Sequence, residues 1–121
     1  MSLKTTLFAL SNILDAAEGR SRLGDMDPDS RAILKFVGAC TGAGQEVCIK
    51  DITHNPQMHS SAVTLVKRIQ SLCEAGWLVQ GTSAVHHRRV TLSLTPKARR
   101  ELNAVSARIE AELSQLLGRE T

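Results

Sequence analysis

A cluster of basic and polar residues, His86-His87-Arg88-Arg89, is the part of the sequence best suited to binding chemistry. It stands directly before the run Val90–Leu94, where apolar and hydroxyl side chains alternate with the period of two that is typical of a half-buried strand. Thr95 then favours an N-cap and Pro96 suits a first helical turn, so a helix follows the strand without a loop. Guanidinium groups at the mouth of a hairpin are well placed to contact phosphate groups. The sequence therefore predicts a hairpin that binds a phosphate-bearing anion.

Positive charge is concentrated in the middle of the chain, although the formal net charge is only +3. Residues 59–100 contain seven Lys and Arg against one acidic residue, whereas residues 1–58 contain six against seven and residues 101–121 contain two against four. An ordinary solvated surface intersperses both signs, so this distribution favours a basic face built for a polyanion. The alternative interpretation is chance clustering on a solvated surface.

Enzymatic, metal and disulfide chemistry find little support in the sequence. No Ser-His-Asp set, glycine-rich phosphate loop or pair of carboxylates indicates catalysis, so we do not expect an enzyme. The four histidines form no i, i+4 pair and the three cysteines form no CxxC pair, so we expect no metal site, no cofactor and no disulfide framework. A buried cysteine is most simply a small hydrophobic residue, with a thiol sensor at Cys40 or Cys48 as the alternative.

The length of the chain and its N-terminal segment indicate how many domains the protein has and where in the cell it is found. A chain of 121 residues is long enough for one core, so we expect a single domain over residues 1–121. The apolar run at the N-terminus is interrupted by Lys4, Asn12 and Asp15, which argues against a membrane span or a signal peptide. We therefore expect a cytoplasmic protein that does not enter a membrane.

Hydrophobic periodicity predicts a mainly α-helical chain with one small β-hairpin. Glycine and proline residues mark most of the predicted boundaries, and Asn55-Pro56 separates two helices. In chain order, the predicted elements are a helix over residues 1–18, a helix from Pro28 to Gly42, a strand at Val47–Ile49, a short helix at Asp51–His54, a helix from His59 or Ser60 to Gly76, two hairpin strands that flank residues 84–87, and a last helix from Pro96 to about Leu117.

The helix after Asn55-Pro56 has an apolar stripe on one side and polar side chains on the other. Two helices joined by a turn and followed by a basic hairpin form a winged helix-turn-helix, with residues 28–95 as its DNA-binding lobe. In that motif the second helix enters the major groove of double-stranded DNA, and the wing reaches phosphates or an adjacent minor groove. The predicted apolar stripe is Ala62, Leu65, Ile69, Leu72 and Cys73. The predicted DNA-binding residues are Ser60, Ser61, Thr64, Lys67, Arg68 and Ser71 on the helix and His87, Arg88 and Arg89 on the wing.

Residues 47–102 also resemble the MarR-type winged-helix regulators. The matching features are a Leu four residues before a Gly (Leu72 and Gly76), two wing arginines, and the dipeptide Leu94-Thr95 after an alternating strand. The chain departs from the family pattern at His87, where an Asp is usual, at Ala98, where a Gly is usual, and in having one helix after the wing where two are typical. The resemblance implies a homodimeric transcriptional regulator that binds double-stranded DNA, and no residue pattern supports a small-molecule effector.

Two apolar seams at the ends of the chain predict how such a protein would assemble. The N-terminal seam recurs every three or four residues, as does the seam of the last helix, and a small lobe has too little surface to bury both. We therefore expect residues 1–18 and 96–118 to form the dimerisation helices, with a monomer whose seams pack against each other as the alternative. The predicted interface residues are Leu3, Leu7, Leu10, Leu14, Leu102, Val105, Ile109, Leu113 and Leu116.

The competing functional class is a winged helix that serves as a protein-interaction subunit of a larger assembly. Winged helices have that use too, and fold alone does not decide function. Positive charge is predicted both on the outward side of the second helix and on the wing, and this combination favours DNA.

Overall fold

The computed structural model describes residues 3–119 and contains five α-helices and three short strands in that range. Their order is that of a winged helix-turn-helix, as predicted. The elements are α1 (Thr6–Gly19), a 3₁₀ turn (Arg22–Asp25), α2 (Pro28–Gly42), β1 (Val47–Cys48), α3 (Ile49–Thr53), α4 (Ala62–Glu74), β2 (Leu78–Thr82), β3 (Val90–Leu94) and α5 (Pro96–Arg119).

The chain divides into two compact units. The central unit is Asp27–Arg99, and the terminal unit comprises the chain up to Met26 together with the chain from Arg100 onward. None of the helices within residues 3–119 combines the length and the apolar character that crossing a membrane requires.

Capping and apolar periodicity explain α2, which lies at the centre of the central unit. The Asp27 carboxylate accepts the Ser30 N–H at 3.0 Å, and Pro28 occupies the first turn, where its missing N–H costs nothing. Ile33, Leu34 and Val37 recur on one face and are fully buried. The helix therefore contributes an apolar stripe to the core of the unit.

Helix α4 has a capping interaction at each end, from a serine side chain at its start and from a glycine turn at its end. The Ser61 hydroxyl accepts the Thr64 N–H, and the buried face consists of Leu65, Ile69 and Leu72. At the other end Gly76 adopts a φ of +82°, while the Trp77 N–H donates to the Leu72 carbonyl at 2.9 Å and the Gly76 N–H donates to the Cys73 carbonyl at 3.1 Å. This is a Schellman C-cap, and its left-handed residue explains the glycine at that position.

The three strands form an antiparallel sheet in the order β1-β3-β2. Leu78 pairs with Leu94 and Thr82 pairs with Val90 across the hairpin, while Val47 of β1 pairs with Leu92 on the other side of β3. The hairpin of β2 and β3 is the wing, and residues 83–89 are its loop.

The passage from β3 into α5 is fixed by Thr95. Its hydroxyl donates to the Gly76 carbonyl at 2.6 Å and accepts the Ala98 N–H at 3.2 Å, which confirms the predicted N-cap. Trp77 is only 6 % exposed, as expected of a core residue, and the Lys97 ammonium lies 4.5 Å from the centre of its ring. The end of α4, the base of the wing and the start of α5 are thereby tied together within the central unit.

Several element boundaries differ from the predicted ones. Helix α1 begins at Thr6, so Leu3 precedes the helix, and residues 1 and 2 of the predicted helix lie outside the described residues. Helix α3 begins at Ile49, two residues before the prediction, because the Asp51 carboxylate accepts the Cys48 N–H and caps the first turn. Helix α4 starts only at Ala62 because Ser61 caps it, and α5 continues to Arg119.

Three side chains also lie on a different side from the predicted one. Ala62 is exposed because it lies in the first turn of α4, beyond the buried stripe. Val90 is 46 % exposed because it pairs with Thr82 at the far end of the hairpin, and Thr91 is buried although the alternation places it outward.

Candidate nucleic-acid interface

Two contacts with the start of α2 hold α4 in place. The Ser60 hydroxyl lies 2.9 and 2.7 Å from the two carboxylate oxygens of Asp29, to which it donates. The Arg68 Nε lies 3.4 Å from an oxygen of Asp27. Burial opposes ionisation of Asp27, but hydrogen bonds from Ser30 and the charge of Arg68 outweigh it and lower the pKa of that carboxyl. Of the predicted DNA-binding residues, Ser60 and Arg68 are therefore engaged in anchoring the helix.

The outward face of α4 consists of Val63, Lys67 and Gln70, which follow one another at helical spacing opposite the buried stripe. Val63 is 67 % exposed although it is apolar. The sequence prediction included Lys67 but missed Val63 and Gln70, because it selected residues by polarity and charge. The signal was present in the spacing, since positions 63, 67 and 70, together with Glu74 at the end of the helix, lie opposite Leu65, Ile69 and Leu72.

The remaining predicted residues of the helix flank this face. Ser61 caps α4 and its hydroxyl donates to the Thr64 hydroxyl at 3.1 Å, so both hydroxyl groups have a local partner. Thr64 is half-buried and Ser71 is exposed. The structure thus brings Thr64, Lys67 and Ser71 to the open side of α4, at its centre and edge.

The loop of the wing is organised around one buried hydroxyl group. Ser83 is 2 % exposed, and its Oγ accepts the N–H groups of Val85 and His86, both at 3.1 Å. The same hydroxyl donates to the Glu46 carboxylate at 2.6 Å. The Ser83 N–H donates to the Arg89 carbonyl at 3.0 Å, which closes the loop at its base.

Glu46, which directly precedes β1, reaches the wing from another part of the chain. One carboxylate oxygen accepts the Ser83 hydroxyl and the other accepts the Ala84 N–H at 3.0 Å. These two hydrogen bonds, with a smaller contribution from the charge of Arg89, lower the pKa of the Glu46 carboxyl. Glu46 and Ser83 are 37 positions apart. Ser83 lies in the predicted hairpin and Glu46 lies outside it, and sequence reasoning missed their contact because nothing local indicates that the two side chains meet.

The two wing arginines have different surroundings, although both are exposed. The charge of Arg89 acts on two carboxylates, Glu46 and Asp51. The pKa of Asp51 is lowered first by the hydrogen bond from the Cys48 N–H, then by the Cys48 thiol and by Arg89. Arg88 and His87 are exposed and form no ion pair with a carboxylate among the described residues. The wing therefore presents Arg88 and His87 outward, while Arg89 lies close to an acidic pair.

Metal ligands are not assembled around this surface. Within residues 3–119, no group of three or more His, Cys, Asp and Glu side chains has a geometry that could hold a metal ion. The same part of the chain contains Cys40, Cys48 and Cys73 as free thiols, and burial raises the pKa of Cys73.

The predicted interface residues of the terminal unit have uneven exposure. Leu3, Leu7, Leu10 and Leu14 are 76 %, 68 %, 40 % and 43 % exposed, and the neighbouring Phe8 is 49 % exposed. Val105 is 6 % exposed in the single chain, so other residues of the same chain already cover it, and its place in an interface stays a prediction. The half-buried positions on α5 are Leu102, Ile109, Leu113 and Leu116.

Comparison with known proteins bears on the fold. No family model matches the chain, and no curated protein sequence matches it. Among solved structures, transcriptional regulator Tm0710 from Thermotoga maritima is 13 % identical with a TM-score of 0.69, and the match covers 95 % of this chain and 78 % of that one. A MarR-like transcriptional regulator from the same organism, Tm0816, is 16 % identical with a TM-score of 0.69 over 98 % and 82 % of the two chains.

A third similar structure is a mutant of S. aureus MepR bound to an oligodeoxyribonucleotide. It is 17 % identical with a TM-score of 0.68, and the match covers 100 % of this chain and 86 % of MepR. Sequence identities this low show that the fold is shared, but they do not show that the function is shared. The function has to be inferred from the side chains of this chain. The chain has the winged helix-turn-helix fold of the MarR-like transcriptional regulators.

Proposed function

We propose that this protein is a transcriptional regulator that binds double-stranded DNA as a homodimer in the cytoplasm and reads a specific sequence. Helix α4 enters the major groove with Val63, Lys67 and Gln70 toward the bases, and the wing contacts the phosphate backbone or an adjacent minor groove through Arg88 and His87. Ser61, Thr64 and Ser71 lie at the edges of α4, where hydroxyl groups reach phosphates or base edges.

One observation carries this proposal. Positive side chains without an ion pair among the described residues lie on the open face of α4 and on the wing of the same compact unit, while four of its five acidic side chains, Asp27, Asp29, Glu46 and Asp51, accept hydrogen bonds from the protein itself. Glu74, at the C-terminal end of α4, is exposed. The carboxylates at the start of α2 and beside the wing are therefore partly neutralised, and the basic groups remain available to a polyanion.

The chemistry of the open face suits base edges. A side-chain amide such as that of Gln70 pairs with adenine in the major groove, and an apolar side chain such as Val63 contacts the methyl group of thymine. Lys67 supplies a donor to guanine or phosphate. We therefore expect the preferred site to contain A·T pairs at the positions that face Val63 and Gln70.

Dimerisation follows from the apolar surface of the terminal unit. Leu7, Leu10 and Leu14 recur along α1 with Phe8 beside them, and all are at least 40 % exposed in the single chain. A contiguous exposed row of this kind is costly in water unless another surface covers it. We infer that a second copy covers it through α1 and α5, since two-fold dimers are the commonest assembly.

Selection of bound duplexes from a random library tests the proposal. A two-fold dimer that reads one half-site with each α4 enriches a pseudo-palindrome whose half-sites lie about one helical turn, roughly 34 Å, apart. Enrichment of a site without two-fold symmetry would contradict the dimer. If no duplex binds at low salt, the DNA-binding proposal fails and the winged helix is a protein-interaction module.

A further inference from the structure

The loop of the wing has more internal hydrogen bonds than a phosphate-binding hairpin requires. The N–H groups of Ser83, Ala84, Val85 and His86 all have protein acceptors, and the Arg89 N–H donates to the His86 carbonyl at 2.9 Å. A surface loop normally leaves several of these groups to water. The backbone of this loop is therefore fixed before any ligand arrives.

The Ser83 hydroxyl is used to its full capacity. A serine hydroxyl offers one donor and two acceptor sites, and Ser83 donates to Glu46 while accepting from two backbone N–H groups. Burial to 2 % exposure removes water as a substitute partner. Loss of the hydroxyl would leave the Val85 and His86 N–H groups without their acceptor.

Glu46 extends this arrangement across the sheet. It precedes β1, whereas Ser83 and Ala84 follow β2, and β3 lies between these two strands. The carboxylate thus connects the start of β1 to the loop end of β2 with both of its oxygens. A single side chain therefore couples the position of the loop to the rest of the central unit.

We propose that Glu46 and Ser83 form a clamp that positions the wing for DNA. The clamp fixes the loop so that Arg88 and His87 point outward, and it keeps Arg89 near Glu46 and Asp51. Glu46 is a positioning residue that makes no contact with DNA. This inference rests on the proposed function, because the clamp matters only if the wing contacts DNA.

Simple electrostatics and the clamp predict opposite results for one variant. Glu46→Ala removes a negative charge close to the wing, and by charge alone it strengthens binding to a polyanion. If Glu46 positions the wing, the same substitution weakens binding because the outward arrangement of Arg88 and His87 is lost. Ser83→Ala changes no charge and removes the three hydrogen bonds of the hydroxyl. We expect it to weaken binding by at least about fivefold, the factor that corresponds to one such bond.

The experiment measures the affinity of the full chain for a random-sequence duplex by fluorescence anisotropy at fixed salt. Glu74→Ala is the matched control, because Glu74 is exposed at the end of α4 and its substitution removes an equal charge from the central unit while the hydrogen bonds of Glu46 and Ser83 stay in place. We expect tighter binding for Glu74→Ala and weaker binding for Glu46→Ala and Ser83→Ala, with Glu46→Gln in between because it keeps one acceptor oxygen. Thermal unfolding of each variant shows whether the fold is intact.

A second measurement separates failure of the clamp from failure of the proposed function. Amide hydrogen exchange reports opening of the loop without any DNA, and the clamp predicts faster exchange at Ala84, Val85 and His86 in Glu46→Ala. If wild type binds no duplex but the exchange rates rise as expected, the clamp exists and the DNA-binding proposal is wrong. If wild type binds and Glu46→Ala binds as tightly or more tightly, Glu46 does not position the wing.

Discussion

Arg88→Ala and Arg89→Ala differ in their effect on the salt dependence of DNA binding, although the two residues are adjacent and identical in type. Arg88 has no carboxylate partner among the described residues, whereas Arg89 lies close enough to Glu46 and Asp51 for its charge to lower the pKa of both. A phosphate contact through Arg88 releases a condensed counterion from DNA. We expect a phosphate contact through Arg89 to release fewer counterions, because two carboxylates already neutralise part of the charge of Arg89.

The expected change in salt dependence can be calculated from the number of counterions that each phosphate contact releases. Each phosphate contact contributes about −0.9 to the slope of log affinity against log salt, so a dimer with two wings loses about 1.8 from the slope when Arg88 becomes Ala. Between about 50 and 200 mM salt, wild type then loses about twelvefold more affinity than Arg88→Ala. For Arg89→Ala we expect less than half of this change in slope.

The assay is anisotropy of a labelled random-sequence duplex of about three helical turns, measured over that salt range. Lys4→Ala is the control, since Lys4 is an exposed cation of the terminal unit and has no place in the proposed interface. Equal changes in slope for the two wing variants would refute the distinction between the arginines. An unchanged slope for Arg88→Ala would remove the wing from the interface.

Four further predictions concern specificity, assembly and stability. Val63→Ala changes the sequence enriched from a random library but leaves the salt slope unaltered, because an apolar side chain contacts bases and no phosphate; identical enriched sites would show that Val63 faces no base. Leu10→Asp and Ile109→Asp each give a species of monomer mass, 13.1 kDa, in sedimentation at micromolar concentration, whereas a dimer that survives both places the interface elsewhere. Thr95→Val lowers the free energy of unfolding in urea by about 1–2 kcal/mol because the hydrogen bonds to Gly76 and Ala98 are lost, and Thr95→Ser, which keeps them, costs much less. The folded-state pKa values of Asp27, Glu46 and Asp51 are lowered, so the stability they contribute is present above their unfolded values and is lost as pH falls, and Tm should stay level from pH 7 to 5 and drop below about pH 4.

The order of elements could be predicted from the sequence because its determinants are local. Asp27 with Pro28, Ser61, Gly76 and Thr95 each fix one helix end through contacts within a few residues. Apolar spacing then assigns the buried faces, as the burial of Ile33, Leu65 and Ile69 confirms. Most errors fell at the ends of elements, where the first or last turn lies beyond the core, and the buried Thr91 within β3 is the exception.

The candidate interface was less predictable because its geometry depends on distant partners. Arg68 and Ser60 look like DNA contacts in the sequence, yet each bonds to an Asp about 30 to 40 positions earlier in the chain, at the start of α2. The two neighbouring arginines of the wing likewise look alike in the sequence. Only the structure distinguishes them, because Arg89 lies near Glu46 and Asp51 and Arg88 does not. Val63 was missed for the opposite reason, since an apolar residue on an exposed face is inconspicuous until the helix is in place.

The anchoring of α4 to α2 has a consequence for how binding preference can change over evolutionary time. The bonds from Ser60 to Asp29 and from Arg68 to Asp27 lie off the face of Val63, Lys67 and Gln70. Substitutions on that face therefore leave the contacts between α4 and α2 intact. Under the proposed function, a gene duplicate could acquire a new operator through few mutations and without compensating changes elsewhere. The same separation makes these three positions the natural ones to randomise when the protein is redesigned for a chosen target site.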